Sequence, residues 1–187
     1  MTAEEIIAAI APAVPGATYV ALASADAAVT PTIGVPREHI VATCRALQGP
    51  GLEFVAFSDV TAVDYHPNRM PRFDLVYHLV SPHRRARVRM KVGINAQEAV
   101  ETLSTLFPGA GWPEREIYDL FGIVFDGHAD MRRIMMPDDW EGHPLRKDYP
   151  VQLRKDAQTF MPLQVSEEEF KANLERDRFQ RGSAKPK

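Results

Sequence analysis

The chain has 187 residues, 45% of them hydrophobic and 25% charged, with a formal net charge of -3. That balance suits one soluble globular domain with appendages and enough apolar residues to bury a core. It excludes the strong basic excess of a typical nucleic-acid-binding chain.

Thr2-Ala3-Glu4-Glu5 has the form of a capping box. It predicts a short helix with Ile6, Ile7 and Ile10 on one side, ended before Pro12. Ala21-Leu22-Ala23 has the look of a cleavage site, but the acidic start lacks the basic residues of a signal peptide. Pro12, Pro15 and Gly16 also break the apolar run well short of the ~20 residues a membrane helix needs. The expected location is therefore the cytoplasm, with membrane contact only through partners. Tyr19 to Ala23 and Thr30 to Val35 read as short strands. Pro36 suits the first position of a second helix running to about Leu47, stopped by Gly49-Pro50-Gly51. Ile40, Cys44 and Leu47 share a face of that helix, so Cys44 reads as a small buried apolar residue. As the single cysteine it rules out an intrachain disulfide, and with it a cluster or structural zinc held by several thiolates.

Glu53 to Tyr65 has strand composition, and Asn68-Arg69-Met70-Pro71 breaks it. Phe73, Leu75, Tyr77 and Leu79 then alternate onto one face, and Ser81 to Arg84 turns the chain. Ala86, Val88, Met90 and Val92 alternate with Arg85, Arg87, Arg89 and Lys91, the mark of a half-buried antiparallel strand. The basic row reads first as a solvated or edge-protecting face, and second as a surface for an acidic partner. Asn95 is predicted to cap a helix through Glu98 that ends by Pro108. Pro113 starts another, with Glu114 and Glu116 at the positive end of its dipole, Ile117, Leu120 and Phe121 as its stripe and Gly122 as its stop. The expected fold is α+β, with helices on a mostly antiparallel mixed sheet. Residues 1–122 form its core domain and 123–150 an irregular docking segment. Residues 151–187 form an extended C-terminal arm, with a helix opened by Ser166 and a disordered end.

Few motifs carry chemistry. Gly109-Ala110-Gly111 opens like a dinucleotide fingerprint, but Glu114 stands where the third glycine belongs and no strand–helix–strand unit surrounds it. There is no P-loop and no Gly-x-Ser-x-Gly elbow. His128, Asp130 and His143, near Asp138, Asp139 and Glu141, could ligate a divalent ion, but their spacing matches no metal motif. The alternative is structural histidines that bond backbone carbonyls. Glu114 to Tyr149 also mixes many arginines and carboxylates with Trp112, Tyr118, Phe121, Phe125, Trp140 and Tyr149. Loops rich in Arg, Trp and Tyr suit a protein–protein interface better than an acid–base site.

The string Glu114-Arg115-Glu116, Asp119-Leu120-Phe121 followed by Gly122, then His128 and Arg132-Arg133-Ile134-Met135, resembles the signature of the C subunit of bacterial respiratory complex I. That family includes the mitochondrial and chloroplast counterparts. Pro137 to Pro150, with Trp140, His143, Arg146, Lys147, Asp148 and Tyr149, is similar to its continuation, as are Asp59 to Tyr65 and Phe73 to Leu79. Ala129 departs from the family's usual proline, which loosens the loop backbone without removing a chemical group. The resemblance runs from about Phe54 to Pro150 and leaves out the N-terminal quarter and the tail.

It implies a peripheral-arm subunit, on the cytoplasmic side of the inner membrane, of a proton-translocating NADH:quinone oxidoreductase. Members of this family hold no cofactor; FMN and the iron–sulfur clusters sit on other chains of the complex. The resemblance implies docking on the D subunit near the quinone site, with the iron–sulfur B and I subunits alongside. The C-terminal arm would lie along the D subunit as well. Arg132, Arg133, Arg146 and Lys147 are expected to pair partly with Glu114, Glu116 and Asp119 and partly with neighbouring subunits. Two alternatives stand: the equivalent subunit of a membrane-bound [NiFe]-hydrogenase or a reduced-deazaflavin or ferredoxin dehydrogenase, and a free-standing metalloenzyme using His128, Asp130 and His143.

Overall fold

The computed structural model describes residues 2–14, 16–19 and 30–150, and beyond them Glu168, Lys171 and Ala172. Met1–Tyr149 forms one compact unit and Pro150–Lys187 a second. In the second, Glu168, Lys171 and Ala172 are helical and exposed. The rest of the helix expected after Ser166, and the tail expected to be disordered, lie outside the described residues.

Helix α1, Ala3–Ile10, is opened by the capping box, with Thr2 and Glu5 each taking the other's backbone N–H on a side-chain oxygen. Strand β1 is Thr18–Tyr19 and β2 is Thr32–Gly34; the expected extension of β1 to Ala23 lies outside the described residues. Pro36 precedes a 3-10 turn, Arg37–His39, instead of starting a helix, and helix α2 follows at Ile40–Gln48. The three long strands are β3, Ala56–Asp64, β4, Phe73–Ser81, and β5, Ala86–Ile94. After them come β6, Val100–Glu101, a 3-10 turn at Pro108–Ala110, helix α3, Gly111–Phe121, and β7, Phe125–Asp126.

The main sheet runs β1-β2-β5-β4-β3, antiparallel throughout except where β2 lies parallel to β5. The expected α+β fold with a mixed, mostly antiparallel sheet is what the chain adopts. Period two sets its faces. Phe73, Leu75, Tyr77 and Leu79 of β4 and Val88, Met90 and Val92 of β5 turn into one core. Against them pack Ile6 and Ile10 of α1, Ile40, Cys44 and Leu47 of α2, and Ile117 and Phe121 of α3. Each fully buried side chain of this size contributes about 1.5–3 kcal/mol relative to an exposed one. The Arg87, Arg89 and Lys91 side of β5 is the opposite face.

The expected helix from Asn95 to Pro108 does not form. Glu98 does bond back to the Asn95 N–H, as in a capping box, at 2.7 Å. The chain then extends into β6, which pairs in parallel with β7, so its backbone bonds go to a remote partner. Thr102 compounds this by bonding Ser104 and the Glu114 carboxylate, a local alternative to helix.

The loop before β4 folds back over the sheet. A Cβ on Gly93 would sit 2.6 Å from Cγ of Pro71. Gly93→Ala should therefore destabilise the chain by about 1–3 kcal/mol through overpacking, although alanine is the better strand former. A lower midpoint in urea unfolding with unchanged slope is the expected result.

Candidate functional site

The last turn of α3 ends in carbonyls that no helical N–H can reach. Gly122 stops the helix with φ +73°, donating its N–H to the Tyr118 carbonyl. The carbonyls that follow are met from the loop beyond. His143 Nδ1 bonds the Asp119 carbonyl at 2.9 Å, which makes Nδ1 the protonated nitrogen. The Leu145 N–H reaches the Leu120 carbonyl at 3.0 Å, and Arg146 Nε donates to the Phe121 carbonyl. Cationic side chains here also suit the negative end of the helix dipole.

The Asp119 side chain ties in the rest of the loop. It is wholly buried. One oxygen takes Arg133 at 2.7 Å, and the other takes the N–H groups of Ile134, Met135 and Met136 at 3.0, 2.7 and 2.9 Å. Burial pushes this carboxyl up, but the three N–H groups and the guanidinium outweigh it and hold it below the usual carboxylate range. Arg133 spans onward to the Gly142 carbonyl at 3.0 Å.

A second anchor joins the loop to the sheet. Asp64, at the end of β3, receives two guanidinium nitrogens of Arg72, at 3.0 and 2.7 Å, and the backbone N–H of Lys147 at 2.9 Å. Arg72 also donates to both oxygens of Asp148, at 2.9 and 2.6 Å. Burial works against the charged Asp64 carboxyl, yet Arg72 and the N–H groups of Lys147 and His66 hold it at about 2. Arg72 likewise keeps Asp148 below its ordinary range.

The predicted residues therefore fall into separate roles. Glu114 stands in the first turn of α3, as expected, and Glu116 does not; among the described residues Glu114 meets no arginine. It is buried against the Thr102 hydroxyl and the Leu103 N–H, and burial pushes its carboxyl up. Glu116 is exposed and forms no ion pair among the described residues. Arg115 reaches the Arg132 carbonyl and lies over the Trp112 ring, while Arg132 grips Asp130 with two nitrogens at 2.9 Å. Trp140 stacks on Tyr149, whose hydroxyl donates to the Glu141 carbonyl, and Phe121 meets Phe73 edge to face. The Lys147 side chain is exposed; its backbone does the bonding. Sequence reasoning missed Asp64 and Arg72 as anchors, because their loop partners are 76 to 83 residues away.

Both histidines bond backbone. His128 Nε2 lies 3.0 Å from the Gly111 carbonyl, and its Nδ1 accepts the Asp130 N–H. Among the described residues, no three His, Cys, Asp or Glu side chains are grouped to hold a metal ion. Among the charged side chains that the segment leaves outward stand three large apolar ones: Trp112 is 66% exposed, Met135 62% and Leu145 47%. Beside Leu145 runs a groove between α3 and β3, lined by Thr61, Glu116 and Leu120.

The family profile described as "Respiratory-chain NADH dehydrogenase, 30 Kd subunit" matches residues 33–155. The C subunit of NADH-quinone oxidoreductase from Geobacter sulfurreducens is 48% identical over 122 residues, 65% of this chain and 75% of its own. Its counterpart from Rhizobium meliloti is 46% identical over 146 residues, 73% of this chain and 72% of its own. Among solved structures, a trypsin-resistant fragment (1-134) of Nqo5 superposes with TM-score 0.58 and 27% identity, covering 70% of this chain and 99% of the fragment. A chain of the membrane-bound sulfane sulfur reductase, an archaeal respiratory membrane complex, gives TM-score 0.64 and 25% identity, covering 79% and 85%.

A Cβ on Gly122 would run into the His143 ring, and φ +73° disfavours any L side chain there. Gly122→Ala should cost at least about 1–2 kcal/mol from the left-handed backbone alone, and proteolysis should then cut first between residues 130 and 146. Acid should release the second anchor. Asp64 sits at about 2 against an ordinary 3.8, so its stabilisation is complete above the ordinary value and fades as pH falls through about 2. Asp64→Asn should flatten the pH dependence of stability across that window.

Proposed function

This chain belongs to the family of the respiratory-chain NADH dehydrogenase 30 Kd subunit, and on that footing we propose that it serves as a scaffold with no redox or catalytic centre of its own. The multi-subunit complex I-type assembly is the setting. Within it we assign residues 111–149 as the docking face, held against the D subunit near the quinone site, with the B and I subunits as further neighbours. FMN and the iron–sulfur clusters belong to other chains in this reading. The chain then lies peripherally on the cytoplasmic side of the inner membrane, and no described helix is long and apolar enough to cross a membrane.

One observation carries the proposal. Asp119 is paired with Arg133 inside the segment and Asp148 with Arg72 beside the sheet, while Trp112, Met135 and Leu145 are presented outward on the braced loop and helix. That is the make-up of a preorganised contact surface, with aromatic and apolar anchors whose ordering precedes binding. Cys44 adds chemical support, since burial pushes its thiol up to about 12 and makes it a poor metal ligand. A second reading, the equivalent subunit of a related membrane complex, draws on the likeness to a sulfane sulfur reductase chain. Companions co-purified with the chain separate the two by whether one of them binds NADH.

Trp112→Ala combined with Met135→Ala should leave the stability of the chain within about 0.5 kcal/mol. It should lower the yield of assembled complex on a native gel, with unchanged NADH-to-quinone turnover per FMN. Normal assembly with reduced turnover contradicts the scaffold role.

A further inference from the structure

The row Arg87, Arg89 and Lys91 lies on the sheet face opposite the core. Edge protection does not account for it, because β5 is an interior strand with β2 on one side and β4 on the other. Charges on a solvated sheet are ordinarily balanced by carboxylates across the strands. Here the residues opposite on β4 are Val80, His78 and Val76, and those on β2 opposite Arg89 and Lys91 are Thr32 and Gly34. Among the described residues, Lys91 is the member of the row that pairs with an acid, Asp74 at 3.7 Å. Arg84, Arg85, Arg87 and Arg89 form no ion pair among the described residues, and Arg84 and Arg85 extend the row into the preceding turn. Asp59, across from His78 on β3, is the other acid on the face, and it binds the Val60 N–H. A chain with net charge -3 thus gathers cations along one strand, about 7 Å apart, of which Arg87 and Arg89 meet no carboxylate among the described residues. His78 registers that field. Burial lowers its affinity for a proton, and Arg89 and Arg87 lower it further against the pull of Asp59.

We infer that this face is a second docking surface, separate from residues 111–149, that receives a carboxylate-rich surface of a neighbouring protein subunit. Guanidinium groups held in a rigid row match carboxylates by geometry as well as charge. A protein fits better than a lipid headgroup layer. The exposed large apolar side chains nearby, Val63 on β3 and Met70 in the loop before β4, lie off β5 and the turn before it, so the cation row itself carries no apolar anchor to insert into a bilayer. The proposal needs only that the chain is part of a larger complex, and it stands or falls apart from the assignment of the 111–149 segment.

The test uses the assembled complex with a photo-crosslinking residue at position 87. The expected adduct joins it to an Asp/Glu-rich peptide of another subunit. Arg87→Glu with Arg89→Glu should then weaken retention of the chain about tenfold in a salt wash, equivalent to about 1.4 kcal/mol. Reversing the crosslinked carboxylates to lysine should restore it. Adducts only to lipid, adducts to a peptide without clustered carboxylates, or full retention of the charge-reversed chain would each overturn the proposal.

Discussion

A carboxylate removed from water must have its charge met by donors or give up its charge. Asp119 is met by Arg133 and by three consecutive backbone N–H groups. Those N–H groups belong to a stretch with no ladder or helix of its own, so the carboxylate supplies the partner its backbone lacks. Because Asp119 stands in the last turn of α3, the same turn that offers its free carbonyls to His143, Leu145 and Arg146, one helix end fixes the path of the chain from Arg133 to Arg146. Asp64 and Arg72 then fasten Lys147 and Asp148 to the sheet. An irregular segment becomes as determined as a strand, and its exposed side chains acquire fixed directions.

That rigidity is what connects the fold to the family's setting. A loop ordered only on binding loses its entropy at that moment, at the expense of affinity. This one is braced beforehand by buried ion pairs, and breaking such a pair costs more than forming it gained. Arginines that suggested contact with partners turn out to divide their work. Arg133 holds the segment together from within, joined by Arg72, which the sequence had not marked, and Arg132, 82% exposed beyond its pairing with Asp130, remains at the surface. The apolar anchors then stand on a foundation of charge.

Much of this was legible in the sequence where the signal is local. The Thr2–Glu5 box, the alternation through β4 and β5, the buried face of Cys44 and the stop at Gly122 each rest on neighbours a few residues apart. The density of charge and aromatics after Trp112 was equally visible, and so was the choice between histidines that ligate and histidines that bond carbonyls. What stayed hidden depends on distant partners. Asn95 and Glu98 carry a true helix-start pattern, yet parallel pairing of β6 with β7 and the Thr102–Glu114 bond redirect the backbone. Glu114 was legible as a first-turn acid, but nothing nearby announces that a threonine hydroxyl and a backbone N–H await it inside. The parallel placement of β2 against β5 has no sequence signal at all, and it is what turns a basic row from an edge guard into an interior face.

The central claim, that a segment braced from within presents a ready-made docking face, is tested most directly by hydrogen–deuterium exchange on the free chain and on the assembled complex. The account predicts slow exchange at Ile134, Met135 and Met136 in both states, with new protection on assembly in peptides around Trp112 and Leu145. Rapid exchange of the 134–136 amides in the free chain, or no added protection around Trp112 and Leu145 in the complex, would contradict it.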